Sequence, residues 1–276
     1  MVIFFREGLE ASLIVSIILA YLKKVGHRRL TRQVWLGVFG AIAIDLAIGL
    51  SLYHVIHHYE GSRTQILLEG TTYFVAMAML TGMSFWMKSQ SRDMKRSLEA
   101  RVNTAVAQGT LWAMVGLTFI TVGREGLETV FFTLAVAFHS SWIVLVAGAG
   151  IGLGLALVVD WVMLKAGRRV PLSLFFNILG GVLLVFAAAL LSDGIENFQI
   201  LGWLPLSHVL WHTGHWVNQA GVLGSILHNF VGYAEAPTVL QAVAYVLYLV
   251  VGFWRYFEPA LLARRHRGDD AKSPLN

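Results

Sequence analysis

The sequence predicts an all-α integral membrane protein with seven transmembrane helices, arranged as two inverted three-helix repeats followed by a seventh helix. Three observations predict this. Of 276 residues, 57% are hydrophobic and 13% charged, with a mean hydropathy of +0.66, whereas a soluble domain carries about 25% charged residues. Seven apolar stretches reach the roughly 20 residues that a helix needs to cross a bilayer core. The pentapeptide Arg6-Glu7-Gly8-Leu9-Glu10 recurs unchanged as Arg124-Glu125-Gly126-Leu127-Glu128, each copy inside one of these stretches.

The stretches run Val2 to Leu22, Val34 to Ile56, Ile66 to Met87, Thr110 to Ala137, Trp142 to Leu164, Leu172 to Leu191 and Pro237 to Phe257. The first is kept as a span, because Met1 leads straight into a segment bearing Glu7 and Glu10 and lacks the basic start and small-residue cleavage site of a signal peptide. Basic residues orient the set. The first connection holds Lys23, Lys24, Arg28, Arg29 and Arg32. The third holds Lys88, Arg92, Lys95, Arg96 and Arg101, and the fifth Lys165, Arg168 and Arg169. The C-terminal end adds Arg255, Arg264, Arg265, Arg267 and Lys272, against Arg63 alone on the other side. The positive-inside rule then puts the N-terminus outside and the C-terminus in the cytoplasm. A plasma-membrane protein is expected, the inner membrane in a bacterium. Clusters set between apolar runs also account for the net charge of +5, so nucleic-acid binding is not expected.

The motif copies are 118 positions apart, and the next span of each half carries a mid-span acid, Asp45 and Asp160, 115 apart. Three spans separate the copies, so the halves are expected to lie in opposite orientation, as in many secondary transporters. Repeat one covers about residues 1–101 and repeat two about 102–200. The outer loop 192–236, helix seven at 237–257 and a cytoplasmic tail at 258–276 complete a single transmembrane domain.

On a helix, Arg6, Glu7 and Glu10 share a sector about 100° wide, as do Arg124, Glu125 and Glu128. Each copy thus aims two carboxylates and a guanidinium the same way. Ionisable groups at such depth line a polar path or pair with one another. A purely structural pair, Arg6 neutralising Glu10, gives no reason for the same Gly and Leu to recur between the acids. At about 1.5 Å per residue, Glu7 and Glu10 lie some 8 to 12 Å below the outer end of their helix and Glu125 and Glu128 some 14 to 18 Å below theirs, near enough to share a site. Gly8 and Gly126 favour close packing there, and Gly148, Gly150, Gly152 and Gly154 give the fifth span small-residue spacing.

Secondary candidates cluster on the outer side. Asp193 and Glu196 stand at the exit of the sixth span, and His208, His212 and His215 are expected to share one face of a helix. Eight of the ten histidines, including His54, His57, His58, His139 and His228, are on that side. They suit either metal collection or the polar face of an interfacial helix carrying Trp203, Trp211 and Trp216. Glu69, with Tyr73, lies in the outer half of the third span as a further pathway member. Met79, Met83 and Met87 fall on one face of the same span and read as core filling.

Four converging carboxylates repel one another, and a multivalent cation relieves that repulsion. The chain has no cysteine, so any bound metal must use oxygen or imidazole, and all-oxygen sites suit hard ions such as Mg, Ca, Mn and ferric iron, with ferrous iron tolerated. No nucleotide-binding loop is present, so ATP hydrolysis is not expected. The doubled Arg-Glu-Gly-Leu-Glu, the seven spans and Pro237-Thr238-Val239-Leu240-Gln241 leading into the last one resemble the oxidase-dependent iron permease family over essentially the whole chain. The resemblance implies a permease rather than an enzyme, with no cofactor and iron as transported substrate. It implies Glu7, Glu10, Glu125 and Glu128 as the iron carriers, Arg6 and Arg124 as motif partners, and an extracytoplasmic protein that oxidises or delivers iron. From the residues alone, a permease for Mn2+ or another divalent ion remains an alternative. So does an intramembrane di-iron oxidase, although such bundles combine Glu with Glu-x-x-His and both motifs here are Glu-x-x-Glu.

Overall fold

The computed structural model describes residues 1–59, 61–90, 94–108, 110–138, 142–166, 172–219, 221, 224, 227–228 and 231–270. His139, Arg92, Arg168, Arg169 and Lys272 of the readings above lie outside them. The described residues form eight α-helices: α1 Val2–Lys24, α2 Thr31–His58, α3 Arg63–Gln90, α4 Met94–Ala107, α5 Leu111–Ala137, α6 Trp142–Ala166, α7 Leu172–Ile200 and α8 Val239–Asp270. The only extended pairing among them is one isolated bridge between Val209 and Thr238.

Local sequence sets the helix ends. Lys23 and Lys24 sit in the last turn of α1, where cations favour the negative end of the dipole, and Gly26 follows with φ +82°. Ser62 caps α3, its Oγ accepting from Gln65 N at 3.2 Å. Thr238 and Gln241 form a reciprocal capping box at the start of α8, Thr238 N donating to Gln241 Oε1 at 2.7 Å and Gln241 N to Thr238 Oγ1 at 3.3 Å. At the end of α7, Gly202 turns the chain with φ +77° while Trp203 N reaches back to Phe198 O at 3.0 Å.

One expected boundary is corrected, and two features are added. Helix α4 lies in the third connection, where Leu98, Val102 and Ala105 bury themselves among α1, α2 and α5. The sixth span does not end at Leu191 but runs as α7 to Ile200, so Asp193 and Glu196 belong to its last two turns and the long connection starts after them. Beyond Phe257 the last helix continues to Asp270.

Apart from α7 and α8, helices consecutive in sequence touch little. α1 packs mainly on α6, α2 on α5, α3 on α7, and α8 on α7, while α1 and α5 meet directly. Helix α6 shows how: Gly148 and Gly152 face the start of α1, and a Cβ at Gly152 would come within 2.5 Å of Met1 O. Gly150 and Gly154 face open space. The apolar interior has two main parts. One gathers Ile3, Tyr73, Leu80, Phe132, Leu183 and Phe186 at the end holding the N-terminus, and the other gathers Ile18, Leu22, Val34, Val38, Val102 and Met114 at the opposite end. The motifs lie between them.

Among the described residues, five helices are long and apolar enough to cross a membrane, at residues 28–56, 63–87, 143–163, 177–200 and 239–258. Helices α1 and α5 have the length but carry an arginine and two glutamates apiece, in the first third of α1 and the middle of α5.

Candidate cation site

Because α1 and α5 are in contact, the two motif copies face each other. Glu7 and Glu10 of α1 and Glu125 of α5 each present an oxygen, and these atoms lie within 4.8 Å of one another. All three are buried, as is Glu128. Glu7 Oε2, Glu125 Oε2 and Glu128 Oε2 have no hydrogen-bond partner among the described residues. Buried acceptors left in this condition are costly unless a proton or a cation meets them.

The two arginines, equivalent in sequence, are not equivalent here. The Arg6 side chain is 1% exposed and sits among the acids, Nη1 donating to Glu7 Oε1 at 2.8 Å and Nε lying 3.1 Å from Glu10 Oε1. Its Nη2 donates to Met87 Sδ at 3.1 Å. Arg124 Nε donates to Glu128 Oε1 at 2.9 Å, but its side chain is 46% exposed and its guanidinium lies 4.5 Å from the centre of the Trp86 ring. Arg124 and Glu128 border a side groove of about 480 Å3 that Asp45, Met79 and Phe119 also line.

The glycines of the motifs have separate neighbours. A Cβ at Gly8 would meet Leu153 and Ala156 of α6, and one at Gly126 would fall on the Asp45 carboxylate of α2. Asp45 thus lies against the second motif. Asp160 of α6 accepts from Ser16 Oγ at 2.8 Å, further along α1 than the glutamates. Both acids are buried, and Asp45 Oδ2 and Asp160 Oδ1 have no hydrogen-bond partner among the described residues.

The remaining candidates lie at the end holding the N-terminus. Glu69 accepts from Gln65 Nε2 at 2.7 Å and Glu196 from Gln241 Nε2 at 3.1 Å. Asp193 Oδ1 lies 3.8 Å from His228 Nε2. The expected helix over His208, His212 and His215 is absent. The segment is extended and turn-like, with all three side chains exposed, because it pairs with the start of α8, Val239 N donating to His208 O and Leu210 N to Pro237 O.

Sequence reasoning passed over Met87, Trp86, Ser16 and His228 as neighbours of the acids. The spacing of Met79, Met83 and Met87 did place Met87 on a buried face, where packing and a thioether contact look alike. Nothing local joins Trp86 to Arg124 or His228 to Asp193.

The long apolar helices packed around the two motif helices define a multi-pass membrane protein. The chain belongs to the Iron permease FTR1 family, which it matches over residues 1–263. It is 35% identical over 260 residues to the Ferrous iron permease EfeU of Yersinia pestis, covering 93% of this chain and 92% of that protein. It is 34% identical over 264 residues to the protein of that name in Escherichia coli O157:H7 and in Shigella sonnei (strain Ss046), covering 95% of this chain and 92% of each. No solved structure matches. The resemblance read from the doubled motif is borne out.

Proposed function

We propose that the chain imports iron across the plasma membrane, with Glu7, Glu10, Glu125 and Glu128 handling the ion in transit. The observation that carries this is the convergence of carboxylates from both motif copies to within 4.8 Å, buried and with open oxygens. Membership of an iron permease family and likeness to ferrous iron permeases favour iron over Mn2+ or Mg2+, which the oxygens alone would accept.

Arg6 gives the site its resting state. Its guanidinium satisfies part of the acid charge while no ion is present, so an arriving ion competes with an internal cation. Binding is thereby weakened enough to permit release, as conduction requires. Asp45 beside Gly126 and Asp160 beside Ser16 are proposed as flanking stations. Glu69, Asp193, Glu196 and the exposed His208, His212 and His215 draw cations towards the mouth. An extracytoplasmic protein that oxidises or delivers iron completes the system.

The proposed topology has seven spans, α1, α2, α3, α5, α6, α7 and α8, with the N-terminus outside and α4 at the cytoplasmic surface. The matched pairing of α1 with α6 and α5 with α2 supports two inverted repeats, since exchanging the halves exchanges these pairs. Radiolabelled iron uptake by cells expressing Glu7→Gln, Glu10→Gln, Glu125→Gln or Glu128→Gln tests the function. Near-normal uptake by all four, at normal membrane abundance, overturns it.

A further inference from the structure

We propose that Asp193 and His228 form a second cation site, taking a first-row divalent metal ion through one carboxylate and one imidazole at the outer mouth. The argument starts from the ring. His228 Nδ1 lies 2.9 Å from the carbonyl oxygen of Tyr233. A carbonyl only accepts, so Nδ1 carries the proton, and in the neutral ring the lone pair is on Nε2. The amide of Gln219 stands further from Nδ1, at 3.4 Å. Metal-binding histidines are commonly fixed in this way, the second nitrogen donating to a backbone carbonyl so that the first is aimed at the ion.

Nε2 is aimed at Asp193, 3.8 Å from Oδ1. That is too long for a hydrogen bond between the two. Two ligand atoms each about 2.1 Å from one ion lie roughly 3 to 4.2 Å apart, according to the angle between them. The observed separation falls within this range. His228 and Asp193 also line a cavity of about 20 Å3, enough for one water or ion. The His228 side chain is 5% exposed and that of Asp193 12%, so the position is shielded and already built. A carboxylate with an imidazole suits Fe2+, Mn2+ or Zn2+ better than Mg2+ or Ca2+, which favour oxygen alone. The site therefore selects by ligand type before the all-carboxylate cluster is reached.

The cavity borders both motif helices. Ile3 and Phe132 form its other wall, one helical turn before Glu7 on α1 and one after Glu128 on α5. A four-residue step is about 6 Å, so one turn of each motif helix separates this wall from the motif glutamates. The onward step rests on the proposed iron transport, whereas binding at Asp193 and His228 does not.

Mn2+ titrated into the purified full-length protein and followed by pulsed electron paramagnetic resonance tests both claims separately. An ion at His228 shows modulation from an imidazole nitrogen, and an ion held by the motif glutamates shows none. The expected result is one nitrogen-coupled Mn2+ in the wild type, lost in His228→Ala and in Asp193→Asn and kept when Glu7→Gln and Glu10→Gln are combined. Asp193→Asn preserves shape and tests the site even if His228→Ala fails to fold. Nitrogen coupling that survives in either variant, arising from the exposed histidines instead, overturns the proposal, as does its absence from the wild type. If the uncoupled Mn2+ alone is missing, the glutamate pathway fails and the outer site stands.

Discussion

Arg6 and Arg124 hold the same place in two identical pentapeptides, yet one is enclosed by carboxylates and the other half exposed against Trp86. The difference sets separate expectations for each. Removing Arg6 leaves Glu7 and Glu10 buried without their counter-charge, and breaking a buried pair of this kind costs about 3 to 5 kcal/mol. Arg6→Gln should therefore lower the amount of folded protein in the membrane more than Arg124→Gln does, as quantitative immunoblotting of membrane fractions will show; equal loss would mean that the two arginines are equally enclosed. The glutamates behave differently. Each Glu→Gln change keeps size and polarity and removes a ligand charge, so iron uptake should fall by roughly tenfold or more at unchanged abundance. Pairing each change with loss of its own arginine separates the roles: a structural pair regains abundance and uptake in the double variant, and an ion ligand stays inactive.

At the scale of the element, helix α6 is held to α1 by two glycines out of four. Gly148 and Gly152 are four residues apart and share the face on which Met1 and Phe4 rest, while Gly150 and Gly154 share the open face. Gly152→Ala drives a methyl group into the backbone of α1, which cannot yield as a side-chain tip can, and overpacking of this sort costs about 1 to 3 kcal/mol. Gly150→Ala and Gly154→Ala meet nothing and gain the better helix propensity of alanine, worth roughly 0.5 to 1 kcal/mol. Thermal unfolding of the purified protein should show Gly152→Ala destabilised and the other two unchanged or slightly stabilised. A uniform response across the three would detach α6 from α1. The sequence could announce small-residue spacing in this helix but not which pair faces a neighbour, because a face has meaning only once the partner helix is placed. The same limit hid the Met87 contact to Arg6 and the approach of His228 to Asp193, each joining residues far apart in the chain. It did not hide the motif, whose three- and four-residue spacing fixes a common direction within one helix.

For the whole molecule, apolar length and the doubled motif were legible, and the errors fell where polar residues continue a helix. Asp193 and Glu196 read as an exit from the membrane, although α7 carries them on to Ile200. Helix α4 sets Lys95, Arg96, Glu99 and Arg101 among its apolar residues, and the face formed by Leu98, Val102 and Ala105 is too short to signal a core-facing helix without the groove it fills. Topology can be tested without removing any background, since the chain has no cysteine. Trp216, 90% exposed in the long connection before α8, and Arg101, exposed on α4, lie on opposite sides of the membrane if the basic clusters face the cytoplasm. A membrane-impermeant maleimide should then label Trp216→Cys in intact cells and Arg101→Cys only after permeabilisation. A fluorescent protein fused after Asn276 should glow, and alkaline phosphatase at the same point should be inactive, because seven spans carry an outside N-terminus to an inside C-terminus. Reversed labelling at both cysteines would invert the molecule while keeping its span count. Labelling of both positions from outside would remove an odd number of spans from α5, α6 and α7, which lie between them, and with it the seven-span count that carries an outside N-terminus to an inside C-terminus.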